Sequence, residues 1–211
     1  NFVRQDYRNK ELIIVLNAND LTPDEYLQEA KRFKIKSKTR VLQLDEKCSL
    51  GECLNTGFEN AKGKFLSKFD DDNYYGTYFL SDSIRSLGFT NAHVVGKFAY
   101  YAYFHASKAL ALLNGSYGYK YHSLVQGGSM VFKREAFESV RFPDKSRGED
   151  TEFLRKCAEE GFLVYSGDPF NFVSVRHADP KEHTWQIADY ELLRHGEVKA
   201  YVDDYSTHVD V

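Results

Sequence analysis

Apolar positions in this chain fall into short compact runs separated by stretches with helical spacing. Residues 11–16, ELIIVL, are aliphatic and β-branched and predict a buried strand. Thr22-Pro23-Asp24-Glu25 combines capping-box spacing with proline at the first helical position, so a helix is expected to run to about Phe33. Residues 40–44, RVLQL, predict a second strand. Ser49 and Glu52 form another capping box. Leu50, Cys53, Leu54, Gly57, Phe58 and Ala61 then follow helical spacing, which predicts a helix over 50–62 with one buried face, stopped by Gly63. Residues 64–69, KFLSKF, predict a third strand running straight into Asp70-Asp71-Asp72-Asn73.

Strand alternating with helix is the pattern of a parallel sheet covered by helices. The expected class is therefore α/β, with a mostly parallel sheet flanked by helices. Further along, a helix is expected near 77–87 and a strand near 93–98, followed by a Tyr-rich stretch to about Tyr121. GSMVFK at 128–133 predicts a strand, 149–160 a helix with Gly161 as its stop, 170–176 a strand, and the tail after Ile187 an outer helix. No internal repeat, linker or domain boundary is visible, and 211 residues fit one domain.

Composition narrows the function classes. A formal net charge of −3 with no Lys/Arg stripe argues against a nucleic-acid partner. No apolar stretch is long enough for a transmembrane helix, and no segment reads as a signal peptide. Cys48, Cys53 and Cys157 lack zinc spacing, and the last two fall on apolar helix faces; they read as reduced core residues of a cytoplasmic protein. The 15 Tyr and 16 Phe suit a sugar-binding surface or simply an aromatic core. The chain starts at Asn1 rather than Met, which points to a fragment or a trimmed N-terminus.

Four constellations carry candidate chemistry. Asp70-Asp71-Asp72-Asn73 lies at the end of an apolar strand, where open α/β sheets bind ligands. Its carboxylates repel one another, and Mg²⁺ or Mn²⁺ relieves that repulsion and bridges a diphosphate; the alternative is a solvated acidic turn. Glu149 and Asp150 open a helix, either as acids complementing its dipole or as a general base at a site's rim. Gln126-Gly127-Gly128-Ser129 lets a ligand approach the backbone, or is only a bulge. Arg176 offers a cation to offset phosphate charge, and His177 and His183 offer imidazoles to a metal.

In this order, the pieces resemble glycosyltransferase family 2, which has the GT-A fold. QDYRNKELIIVL at 5–16 is similar to the family's approach to its second strand. LGECLNTGFENAKGKFLSKFDDDN at 50–73 is similar to its Asn-containing helix followed by "A.G.yi..lD.DD". Residues 127–161, from GGSMVFKREAF to GEDTEFLRKCAEEG, are similar to its "GG…f.R" strand and "ED…R….G" helix. The resemblance implies a UDP-sugar donor, a Mn²⁺ or Mg²⁺ cofactor and a carbohydrate, lipid-linked or protein acceptor, in the making of cell-surface polysaccharide. It implies that Asp70 and Asp72 are the DxD pair, with Asp72 the direct metal ligand and Asp71 beside the donor. Asp150 is implied as the base of an inverting transfer, with Glu149 the second candidate. Asn17 is implied at the nucleotide base, and Asn55, Gly128, Ser129 and Arg176 along the donor. A C-terminal His, His183 first and His177 second, is implied as a third metal contact. Residues 1–96 would form the nucleotide-sugar half and 97–211 the acceptor and catalytic half of one domain.

The departures are specific. The family's first strand has no counterpart, Leu54 stands where Arg is common, and the Gln-x-x-Arg-Trp pattern of processive synthases is absent, which favours transfer of a single sugar. Rival readings are a nucleotidyltransferase and a non-catalytic nucleotide-sugar-binding module. Membrane association through the acceptor or another part of the protein is compatible with a cytoplasmic enzyme.

Overall fold

The computed structural model describes residues 1–177 and 187–211. In chain order the elements are β1 (Leu12–Leu16), α1 (Pro23–Arg32), β2 (Thr39–Gln43), α2 (Leu50–Asn60), β3 (Phe65–Ser67), β4 (Tyr74–Tyr75), α3 (Phe79–Phe89) and β5 (Val94–Gly96). There follow β6 (Tyr100–Phe104), β7 (Ala109–Leu113), β8 (Lys120–Tyr121), β9 (Val131–Lys133), α4 (Arg134–Ser139), α5 (Glu149–Glu159), β10 (Val164–Ser166), β11 (Phe172–Arg176), α6 (Asp189–Leu193), β12 (Gly196–Tyr201) and α7 (Ser206–Val209).

The α/β class expected from the pattern is found, with a more mixed strand pairing than the alternation suggests. β1 and β2 pair in parallel across the α1 crossover. A five-stranded sheet runs β3-β9-β5-β10-β8. In it β5 and β10 are parallel, whereas β9 enters antiparallel to both β3 and β5. The third sheet runs β12-β7-β6-β11-β4, and only β6 and β11 are parallel there. Alternating strand and helix marks crossovers, and the crossover logic fails where β9 returns through the sheet without an intervening helix.

Local chemistry explains most boundaries. Ser49 and Glu52 make both halves of the capping box at the start of α2. Thr22 does not cap α1 with its side chain; the backbone N–H of Glu25 reaches the Thr22 carbonyl instead. Pro23 and the first-turn acids Asp24 and Glu25 fix that start through the preset φ and the helix dipole. The tail departs most from expectation: α6 is one short turn, and the chain then forms β12 against β7, with a register shift between Val198 and Ala200. An open strand edge offers more hydrogen bonds than a helix lying loose outside, and tertiary pairing overrides local propensity.

Two aromatic clusters fix the elements that carry the site. Phe58, Phe132, Phe137, Phe142 and Phe153 bind α2, β9, α4 and α5 together, with Phe142 and Phe153 stacked at 4.2 Å. Phe69, Tyr75, Phe79 and Phe172 pack behind the acidic turn, with Phe69 stacked on Tyr75 at 4.1 Å. Cys53 and Cys157 are buried free thiols on the helix faces where periodicity puts them. Among the described residues, no helix is long and apolar enough to cross a membrane.

Candidate active site

The acidic turn is built on Tyr75. Its ring is fully buried, and its hydroxyl donates to the Gly128 carbonyl at 2.6 Å while accepting from the Asp70 amide at 2.8 Å. Burial raises the Tyr75 pKa well above the ordinary phenol value, so the hydroxyl remains a donor. Asn73 completes the turn. Its Nδ2 donates to Asp70 Oδ2 at 3.0 Å, and its Oδ1 accepts from the Val175 amide at 3.1 Å. The other oxygen of Asp70 faces Lys68 Nζ at 3.1 Å. Both oxygens of Asp70 are thus engaged by protein groups. Asp71 and Asp72 are exposed. Partial desolvation first, and then the carboxylates of Asp70 and Asp71, push the Asp72 pKa up, against the opposing pull of its own backbone amide and His177.

Gly127 and Gly128 form the partition between this turn and α5. A Cβ on Gly128 would lie 2.2 Å from Asp70 Oδ2, and one on Gly127 would lie 2.0 Å from Asp150 Oδ2. Neither glycine has positive φ, so space, not backbone freedom, demands them. Gly148 does need its conformation: at φ +68° it turns the chain into α5. Asp150 then sits in the first turn, its Oδ1 accepting from the Thr151 amide at 2.6 Å. Glu149 is buried, with Oε1 3.8 Å from Lys68 Nζ. Desolvation raises its pKa, against its own backbone amide and Lys68. Burial works against the Lys68 ammonium, yet Asp70, Glu149 and Asp150 outweigh it and raise its pKa.

The acidic turn, the glycine pair and the start of α5 therefore meet in one place, although Asp70 and Asp150 are far apart in sequence. Asn55, Ser129 and Arg176 are engaged in contacts of their own. Asn55 spends both ends of its amide on the Phe142 backbone, at 2.9 and 3.0 Å, and so clamps α2 to the loop between α4 and α5. Ser129 is fully buried, its Oγ accepting from the Lys97 amide and donating to the Gln126 carbonyl. Arg176 is buried and reaches the Asp189 carboxylate at 3.3 Å and the Ile187 carbonyl at 2.6 Å, joining β11 to the start of α6. Asn17 is exposed just past the end of β1. His177 stacks on His105 at 5.3 Å and is near enough to Asp72 to influence its charge. His183 lies outside the described residues.

Sequence reading missed Lys68, Tyr75 and the Lys97–Asp168 pair, whose ion pair of 3.0 Å is almost wholly buried on the lysine side. The one available sign was a lysine two residues before three aspartates, just after a short strand. The Tyr-rich stretch divides. Tyr100 and Tyr103 are core residues of the β6–β7 hairpin, whereas Tyr117, Tyr119 and Tyr121 are 43%, 66% and 54% exposed.

The family model "Glycosyl transferase family 2" matches residues 1–141. Among solved structures, the chain is similar to the mannosyltransferase PcManGT from Pyrobaculum calidifontis in complex with GDP-Man and Mn²⁺. The TM-score is 0.64 at 19% identity, covering 85% of this chain and 51% of that one. It is also similar to S. aureus TarS 1-349 in complex with UDP-GlcNAc, with a TM-score of 0.63 at 18% identity, covering 92% of this chain and 58% of that one. At such identities the likeness shows the shared GT-A fold. The chain spans about half the length of these structures. No curated protein sequence matches it.

Proposed function

This chain belongs to glycosyl transferase family 2, and from that membership we propose that it serves metal-dependent transfer of a sugar from a nucleotide-sugar donor, a UDP-sugar, to an acceptor hydroxyl with inversion. The observation that carries the reading is the glycine partition. Consecutive glycines stand against Asp70 of the acidic turn on one side and Asp150 on the other, which supports the reading that one site serves both the donor and the proton acceptor. In this reading residues 1–96 hold the donor, and 97–211 supply the acceptor side and the base.

The donor set suits a hard divalent cation, though among the described residues no three His, Cys, Asp or Glu side chains form a ready-made metal group. Mg²⁺ and Mn²⁺ keep several waters and take substrate phosphates as ligands, so one or two carboxylates suffice. Asp72 is exposed and pressed by neighbouring negative charge, which favours a cation beside it. It is the residue that would hold the metal, with Asp71 adjacent and a C-terminal histidine, His177 or His183, as a further ligand. When bound, the metal would offset charge on the leaving diphosphate. Asp70, already held by Lys68 and Asn73, shapes the turn instead of ligating directly.

Asp150 takes the acceptor's hydroxyl proton. The freed oxygen forms the bond to the anomeric carbon as the bond to the diphosphate oxygen breaks, and the nucleoside diphosphate leaves. Attack from the face opposite the leaving group inverts the centre. Incubation with UDP-sugars, acceptors and Mn²⁺ should release UDP; release of pyrophosphate from UTP and a sugar phosphate would instead identify a nucleotidyltransferase. Asp72→Ala should weaken Mn²⁺-dependent UDP binding at least about tenfold, or 1.4 kcal/mol, with the fold intact. Calorimetry showing unchanged UDP affinity in Mn²⁺ would remove Asp72 from the metal site.

The exposed Tyr117, Tyr119 and Tyr121 support an acceptor surface beside the Lys97–Asp168 pair, from which Phe98 leads directly to Tyr117 at 5.3 Å. Such rings offer an apolar face and a hydroxyl to a carbohydrate, lipid-linked or protein acceptor. Tyr117→Ala should raise the acceptor KM about 2- to 10-fold, the value of one aromatic contact, and leave Tm nearly unchanged. A large drop in Tm with acceptor KM unmoved would place Tyr117 in the core.

A further inference from the structure

Five carboxylates, Asp70, Asp71, Asp72, Glu149 and Asp150, share this corner, and Lys68 is a cation set among them. Its side chain is only 10% exposed, with Nζ 3.1 Å from Asp70 Oδ1 and 3.8 Å from Glu149 Oε1. It stands where β3 meets the acidic turn, and its backbone N–H is tied to the Met130 carbonyl of the segment entering β9. The ammonium thus links the turn that faces the donor to the helix that carries the base.

We propose that Lys68 is a positioning residue that assigns the carboxylates their tasks: by occupying Asp70 and Glu149 it leaves Asp72 for the cation and Asp150 for the proton. The proposal rests on the metal reading above. Its physical content is competition. Asp70 Oδ1 and Glu149 Oε1 both face one ammonium, so the space between them is where a divalent cation would sit if the ammonium were absent. A metal there would bridge the turn and the helix, away from Asp72, and would place its charge beside Asp150. Lys68 fills that space with a fixed single charge. It also lets Glu149 be buried without an unpaired carboxylate, which would be strongly unfavourable.

This predicts an outcome that a simple structural lysine does not. In Lys68→Gln the amide still donates a hydrogen bond to Asp70, but the charge is gone. Mn²⁺ binding to the nucleotide-free protein, followed by electron paramagnetic resonance, should tighten about tenfold, the effect of deleting one nearby like charge in a partly screened site. Turnover of the UDP-sugar in Mn²⁺ should nevertheless fall, because the tighter site is the wrong one. Lys68→Arg should return both readings to within a few-fold of wild type. Glu149→Gln, which leaves the ammonium facing Asp70 alone, should shift Mn²⁺ affinity the opposite way, weaker by about threefold or more, and it decides the matter if Lys68→Gln does not fold. Unchanged or weaker Mn²⁺ binding in folded Lys68→Gln overturns the proposal, as does unchanged binding in Glu149→Gln. Wild-type protein that binds no Mn²⁺ even with UDP present overturns the metal reading and this proposal together. Wild-type binding with unmoved variants overturns this proposal alone.

Discussion

Asp150→Asn is expected to lower kcat by roughly 10²–10⁴, the usual worth of a general base, while UDP affinity in Mn²⁺ stays within a few-fold. The asparagine keeps the carboxylate's shape. Its Oδ1 still accepts from the Thr151 amide, so the local bond of Asp150 at the start of α5 survives. What it loses is the ability to take a proton. If the acid served only the helix dipole and the local cap, the change would cost about 1 kcal/mol of stability and little rate. Measuring kcat and Tm on the same protein separates the two. A near wild-type rate would move the base to Glu149, although the structure speaks against that residue: it is buried and held against Lys68.

Gly127→Ala should be nearly as damaging, without removing any reactive group. The new methyl would start 2.0 Å from Asp150 Oδ2 and 2.8 Å from its Cγ, so the Asp150 side chain must rotate away. Displacing a reacting group by about 1 Å can cost 10²-fold in rate, and a loss of about that size is expected in kcat. The neighbouring change has a different signature. Gly128→Ala places its methyl 2.2 Å from Asp70 Oδ2 and 2.9 Å from Asn73 Nδ2, so the acidic turn must shift and donor affinity should suffer first. Adjacent substitutions with opposite effects, one on kcat and the other on the Kd for UDP in Mn²⁺, would establish the partition. Equal loss of both quantities in both variants would mean only that the segment 126–129 is packed too tightly to change.

Much of this was legible in the chain because it depends on near neighbours. The capping box at Ser49, the apolar face of α2 and the acids after β3 are all patterns within a few residues. So is the left-handed Gly161 after α5, at φ +81°. The order of the acidic turn, glycine pair and acid-led helix was equally visible. The distant partners were not. Tyr75 bonding to Gly128, and Phe142 claiming both ends of Asn55, are matters of tertiary placement that no local spacing encodes. The tyrosines stayed ambiguous for a related reason: an alternating strand and an exposed aromatic surface use the same residues, and the β6–β7 pairing shows which are inside. The sequence could not show that the buried Ser129 hydroxyl ties two backbone groups together, as buried hydroxyls commonly do.

The late strand β12 has a consequence for how the molecule stays dispersed. Its partner β7, ALALL, is almost entirely buried and carries no charge. Without β12, that apolar strand would present an open edge to other chains, the kind of template on which aggregates grow. β12 covers it with an exposed strand whose Glu197 and Lys199 are paired and whose register shifts at Val198, two devices that make a poor template. Because β7 is synthesised nearly ninety residues before β12 is complete, the nascent chain passes through a stage in which this edge is bare. Shielding it during that interval falls to whatever surrounds the chain as it emerges.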